Sequence, residues 1–147
     1  MTREVIDLRG ARVMICVVFF CHGAVAGSWA ARIPSIKAAL DLTAGELGLG
    51  LVGAAVGTMC SLPLAGAASA RLGSLRITRI GAILYPLALA LPGRATSLPS
   101  LFATLVLLGA CAAFLDVAMN AYGVDLERRY ERPVLSSFHG LWSMGAF

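Results

Sequence analysis

Charge is scarce in this sequence of 147 residues: Asp, Glu, Lys and Arg supply 14%, where about 25% is usual in a soluble domain. Lysine is almost missing, with Lys37 its single example. Once glycine is counted as apolar and tyrosine is not, about 68% of the chain is apolar, against about 45–50% in soluble domains. A soluble core of this size cannot hide that share, because small domains leave much of their surface in water. The same figures exclude a disordered chain. Cys16, Cys21, Cys60 and Cys111 all lie inside apolar runs, which excludes a secreted disulfide scaffold. Catalytic patterns are missing as well: there is no HExxH, no GxSxG and no cysteine pair at zinc spacing. Cys21 and His22 are adjacent, so on a helix their side chains diverge by about 100° and cannot chelate one metal together. No enzyme, metal or cofactor is expected, and the solvent for most of the chain is lipid.

What is present is a series of apolar runs. Val13 to Ala31 carries no charge and, at about 1.5 Å per residue, just crosses a hydrocarbon core of about 30 Å. The second run covers 47–70. A third, 77–93, forms a span only with Arg79 snorkelling to the headgroups. The fourth, 98–124, holds Asp116 as its single charge. The fifth, 136–147, is too short to cross and is read as incomplete. The expected fold is an all-α membrane protein of about five transmembrane helices. Residues 1–12 are expected to be a cytoplasmic N-terminus, and 13–147 an incomplete bundle of a longer protein. Ala24-Val25-Ala26 has the small-x-small form of a signal cleavage site, but the apolar stretch is too long for a signal and further spans follow, so the first span is read as uncleaved.

Orientation follows from the basic residues. With the N-terminus inside, Arg3, Arg9, Arg12, Arg71, Arg76, Arg79, Arg128, Arg129 and Arg132 fall on the cytoplasmic side, and Arg32, Lys37 and Arg94 outside. This distribution accounts for the net charge of +4 without nucleic acid, because the basic residues form no single stripe. Between the first two spans, Pro34 suits the start of a short interfacial helix with Ile33, Ile36 and Leu40 on one side. Thr43 and Glu46 match a capping box launching the second span.

The glycines read as packing. Gly48, Gly50 and Gly53 fit GxGxxG, but no strand precedes them and no acid follows at the required distance. Gly53 and Gly57, continued by Ser61, form a row for close helix approach, and Gly23 and Gly27 do the same on the first span.

Asp116 is the most informative residue. An ionised Asp at a span centre costs about 2.5–3.5 kcal/mol on insertion scales, and Asp116 lies only about 7.5 Å from the middle of its span. On a helix it shares a face with Gly109, Ala112, Ala113, Asn120 and Gly123, opposite Leu107, Phe114, Ala118 and Ala121. Either Asp116 and Asn120 line an aqueous path that binds substrate or a proton, or the carboxylate is held by an Arg of another helix for assembly alone. His22, at the middle of the first run with Val18, Ala26 and Trp29 on its face, is either a site residue near the midplane or a neutral, structurally bonded histidine. Ser136, His139 and Ser143 share a face beside Trp142, as a polar lining or, preferably, an interhelical seam.

Two stretches carry a resemblance. Gly66-Ala67-Ala68-Ser69-Ala70-Arg71-Leu72-Gly73, with Arg76 beyond, resembles the cytoplasmic signature of the major facilitator superfamily, Gly-x-x-x-Asp-Arg-x-Gly followed by basic residues. Ala70 stands where that signature has Asp. The stretch from Asp116 to Asp125, with Ser137 to Trp142, resembles the branch of fucose-permease-like bacterial inner-membrane transporters. The resemblance implies twelve helices in two six-helix halves, alternating access, and a central site lined by spans one and four, which would include His22 and Asp116. It implies a gating role for Gly66, Arg71, Gly73 and Arg76. It also implies secondary transport of a small, sugar-like solute, with protons as one candidate coupling ion and Asp116, Asn120, His22, Trp29 and His139 along the pathway. The bilayer, the solute and the remaining helices of the transporter are the expected partners. Five spans amount to one three-helix repeat and part of its inverted mate, a piece not expected to transport alone. The alternative from another class is a truncated or non-transporting helical subunit acting through partner assembly.

Overall fold

The computed structural model describes residues 8–147, and Arg3 lies outside them together with most of the expected N-terminal segment. Every regular element is helical: α1 (Leu8–Ala39), α2 (Ala44–Leu72), α3 (Ser74–Ala88) followed by a 3-10 turn (Pro92–Arg94), α4 (Leu98–Tyr130) and α5 (Leu135–Ala146). Four segments are long and apolar enough to cross a membrane: α1, α2, α3 with its 3-10 turn, and α4. The chain is thus an all-α, multi-pass membrane protein.

Its surface is inverted relative to a soluble bundle. On α2 the buried positions are Gly50, Gly53, Gly57, Ser61, Ala65 and Ser69, while Leu49, Val52, Val56, Met59 and Leu64 point outward, Met59 at 71% exposure. Small residues let backbones meet, and large apolar ones face acyl chains. The expected glycine rows do this on both helices. A Cβ at Gly57 would run into the carbonyl of Val106, and one at Gly53 would meet the carbonyl of Phe102 at 2.6 Å, so α2 lies backbone to backbone on α4. Gly109 of α4 returns the contact, since a Cβ there would strike the carbonyl of Ala54. Thr58 Oγ donates to the Gly109 carbonyl at 3.2 Å across the same seam. Gly23 and Gly27 of α1 meet the carbonyls of Trp142 and Ala146, and Gly145 of α5 meets that of Phe20.

Helix ends follow local chemistry. The Thr43 capping box is present: Glu46 N donates to Thr43 Oγ at 3.2 Å, and Thr43 N donates to Glu46 Oε2 at 2.8 Å. Ser97 and Ser100 build the equivalent box for α4. The expected separate interfacial helix at Pro34 is corrected, because α1 runs through it to Ala39. The carbonyl four residues back, on Ala30, loses its donor, but Ala30 and Pro34 are both exposed, so the missing bond can be made to solvent. α1 stops instead at Asp41, with φ of 49°. There Leu42 N donates to the Lys37 carbonyl at 3.0 Å and Asp41 N to that of Ala38 at 3.2 Å, a Schellman closure with Asp in the left-handed position.

The described basic residues gather at the two ends of the bundle. Tyr130 Oη, on the last residue of α4, donates to the Leu8 carbonyl at 2.9 Å, and the Arg12 guanidinium lies 5.7 Å from the Tyr130 ring centre. At the opposite end Arg32 approaches Gly93.

Candidate functional site

His22 sits in the middle of α1 and is 92% buried, enclosed by three other helices. From α5, Trp142 Nε1 donates to His22 Nδ1 at 2.7 Å. From α3, the Tyr85 ring lies 4.9 Å from the imidazole, centre to centre. From α4, Asp116 acts electrostatically on both His22 and Tyr85. An indole nitrogen only donates. Its bond to Nδ1 therefore places the proton of the neutral imidazole on Nε2. The Nε2 atom is buried and makes no hydrogen bond of good geometry.

Asp116 projects from α4 on its open side and is exposed. Its partner is Asn120, one turn on, whose Nδ2 donates to the Asp116 carbonyl at 2.8 Å and to Asp116 Oδ1 at 3.2 Å. Among the described residues, the ion pair formed is Arg129–Asp125 at 2.9 Å, and no Arg holds Asp116. The polar face expected for α4 is divided. Gly109 belongs to the α2 seam, and Gly123 packs against Leu135 and Phe138, which leaves Asp116 and Asn120 as its open part. Ala118, expected on the lipid side, is fully buried.

His139 and Trp29 do not join His22 directly. His139 is exposed and meets the edge of Phe19 at 5.2 Å, one turn along α1. Trp29 packs against the buried apolar cluster two turns away in the other direction. Ser143 Oγ donates to the His139 carbonyl at 3.2 Å, so that seam is partly satisfied within α5. Tyr85 was not singled out by the sequence, since one Tyr in an apolar run carries no periodic signal. Trp142 showed only as a neighbour of the Ser136 face.

The residues assigned to gating flank a turn much tighter than a loop. α2 ends at Leu72, α3 begins at Ser74, and Gly73 alone separates them, with φ of 89°, donating to the Ser69 carbonyl at 3.1 Å. That φ suits glycine and strains other residues. Arg71 and Arg76 are exposed on the two helix ends, and Gly66 lies one and a half turns before Arg71 with open space where a Cβ would stand. Gly73 and Ser74 face a cleft that also holds Tyr122, Asp125 and Arg129 of α4.

A second acidic residue ties the same end together. Glu127 Oε2 accepts from Val134 N and Leu135 N, both at 2.7 Å. A carboxylate from α4 thereby satisfies N–H groups at the start of α5.

Close glycine seams beside a His–Trp–Tyr group whose imidazole and phenol rings are buried, with large apolar side chains turned outward, define a polytopic helical membrane protein. Comparison with known proteins narrows the class. The chain is 35% identical over 128 residues to an uncharacterized transporter, y4wD, of Sinorhizobium fredii, which covers 87% of this chain and 34% of that protein. It is 32% identical over 129 residues to an uncharacterized MFS-type transporter of Yersinia pestis, covering 88% and 34%. It is also 35% identical over 127 residues to the membrane protein MosC of Rhizobium meliloti, covering 86% and 31%. The chain belongs to the MFS-type, or major facilitator, proteins. It spans about a third of the length of these relatives. No protein-family model and no solved structure matches it.

Proposed function

We propose that the chain is the N-terminal part of a secondary transporter for a small solute, with the site formed by His22, Tyr85, Asp116 and Asn120. One observation carries this reading: a buried imidazole of α1 meets the Tyr85 ring of α3 and the Trp142 indole of α5 near mid-helix, with the Asp116–Asn120 pair on α4, in helices that otherwise bury small and apolar residues. Ionisable groups at that depth are costly and usually mark an ion or substrate path. The names of two relatives describe transporters, not enzymes. Asp116 and Asn120 offer acceptor and donor groups to a hydroxylated solute, and His22 and Asp116 are the groups able to carry a proton. A sugar-like substrate rests on the resemblance of the Asp116 stretch. A bacterial inner membrane and a cytoplasmic N-terminus rest on that resemblance and on the distribution of Arg.

The full-length protein in proteoliposomes loaded with a pH-sensitive dye tests the site. Across a panel of monosaccharides, Asp116→Asn is expected to reduce solute-driven proton movement about 5- to 150-fold, the span of ordinary coupling free energies. Unchanged uptake with unchanged pH dependence removes Asp116 from the mechanism. Arg71 and Arg76, beside Gly73, are proposed to bias the inward and outward states. In the same vesicles Arg71→Ala should slow turnover several-fold more than it raises the half-saturating solute concentration. An equal change in both points to binding instead.

A further inference from the structure

The indole of Trp142 occupies the one nitrogen of His22 that could take up a proton. In the neutral ring Nε2 already carries hydrogen, so an incoming proton has to bond to the Nδ1 lone pair. That lone pair accepts Trp142 Nε1–H at 2.7 Å. Once Nδ1 is protonated, both partners are donors and the bond cannot exist. No other bond breaks and no electron moves. The proton adds to Nδ1, and the indole N–H is released to seek another acceptor.

We infer that Trp142 is a positioning residue for proton uptake: it fixes the tautomer of His22 and makes protonation incompatible with the side-chain bond that joins α1 to α5. This rests on the reading of His22 as a proton-carrying residue. The titratable groups around the imidazole are Tyr85 from α3, Asp116 from α4 and Cys21 beside it on α1. Cys111 of α4 stands near Tyr85. The His139 ring of α5 meets Phe19. Among the described residues, Asp116 is thus the carboxylate placed to balance an imidazolium. The contact has little slack, because Gly23, Gly27 and Gly145 already bring the α1 and α5 backbones together. Loss of the bond therefore leaves two routes, rotation of the Trp142 side chain or departure of α5 from α1.

Nitrogen NMR on the full-length protein in phospholipid nanodiscs, labelled with 15N-histidine and 15N-tryptophan, tests this during an acid titration from pH 8 to pH 4. Signals are assigned by their disappearance in His22→Gln and Trp142→Phe. At pH 8 the wild type should show His22 with hydrogen on Nε2 and a hydrogen-bonded Trp142 indole. On acidification the unprotonated Nδ1 signal and the bonded indole signal should be lost together, with one midpoint. Trp142→Phe, which keeps a ring but removes the donor, should lose the single-tautomer signature at pH 8. A His22 that gains its second proton while the indole signal stays fixed overturns the inference alone. So does hydrogen on Nδ1 at pH 8. A His22 that takes up no proton across the range overturns both the inference and the proton-carrying reading. The wild-type titration decides between these outcomes even if a variant fails to fold.

Discussion

The two glycine seams make an instructive pair. Between α2 and α4 the backbones meet through Gly53, Gly57 and Gly109, and the polar bond crossing the seam is Thr58 to a backbone carbonyl. Between α1 and α5 they meet through Gly23, Gly27 and Gly145 in the same manner, but the seam carries His22 and Trp142, with Tyr85 behind. Nothing in the first contact is placed to change state with pH, whereas the bond in the second would break on the proposed protonation of His22. Close glycine packing is therefore compatible with two roles. A seam without ionisable side chains is a permanent joint, and a seam whose one side-chain bond depends on protonation can open.

Overpacking each seam is the strongest way to break the comparison. Gly57→Leu should cost about 3 kcal/mol or more, because the new side chain is aimed at the Val106 backbone and neither helix can yield locally. Loss of cooperative thermal unfolding, followed by circular dichroism in detergent, is the expected result. Gly23→Leu strikes the Trp142 carbonyl just as directly, yet it should displace α5 and leave the α2–α4 unit melting near its normal temperature. Equal losses in the two variants would erase the distinction between joint and latch.

A smaller effect sharpens it. Glu127→Gln keeps an acceptor but removes the charge that meets the α5 N-terminus, which is worth about 0.3–1 kcal/mol at an exposed helix end. Hydrogen exchange should quicken in the first turn of α5 and stay unchanged in α2. Exchange that quickens across the whole bundle would mean that α5 is part of the permanent joint.

Much of this arrangement was legible in the sequence, for identifiable reasons. The capping box at Thr43 and both glycine rows are local patterns, and each appears in place. The end of α1 was misjudged because Arg32 ends an apolar run without ending a helix, and a helix can continue past the bilayer as long as its backbone bonds do. Tyr85, Trp142 and Glu127 depend on partners from other helices, and periodicity along one helix does not report them. The α4 face was half correct: Asp116 and Asn120 stand together, but Gly109 and Gly123 on the same face are taken up by α2 and α5. One helix wheel cannot say which neighbour covers which part of a face.

The α1–α5 contact also has a consequence for the order in which the protein is made. His22 and Trp142 are 120 positions apart in the chain, and at about 5–20 residues per second of synthesis that separation corresponds to about 6–24 s. For that interval α1 sits in the bilayer with an imidazole and a bare glycine groove exposed, while α2 finds its own close partner, α4, sooner. The α2–α4 seam can thus be assembled first, and the α1 side of the second seam stays open to lipid, chaperone or a wrong helix until α5 leaves the ribosome.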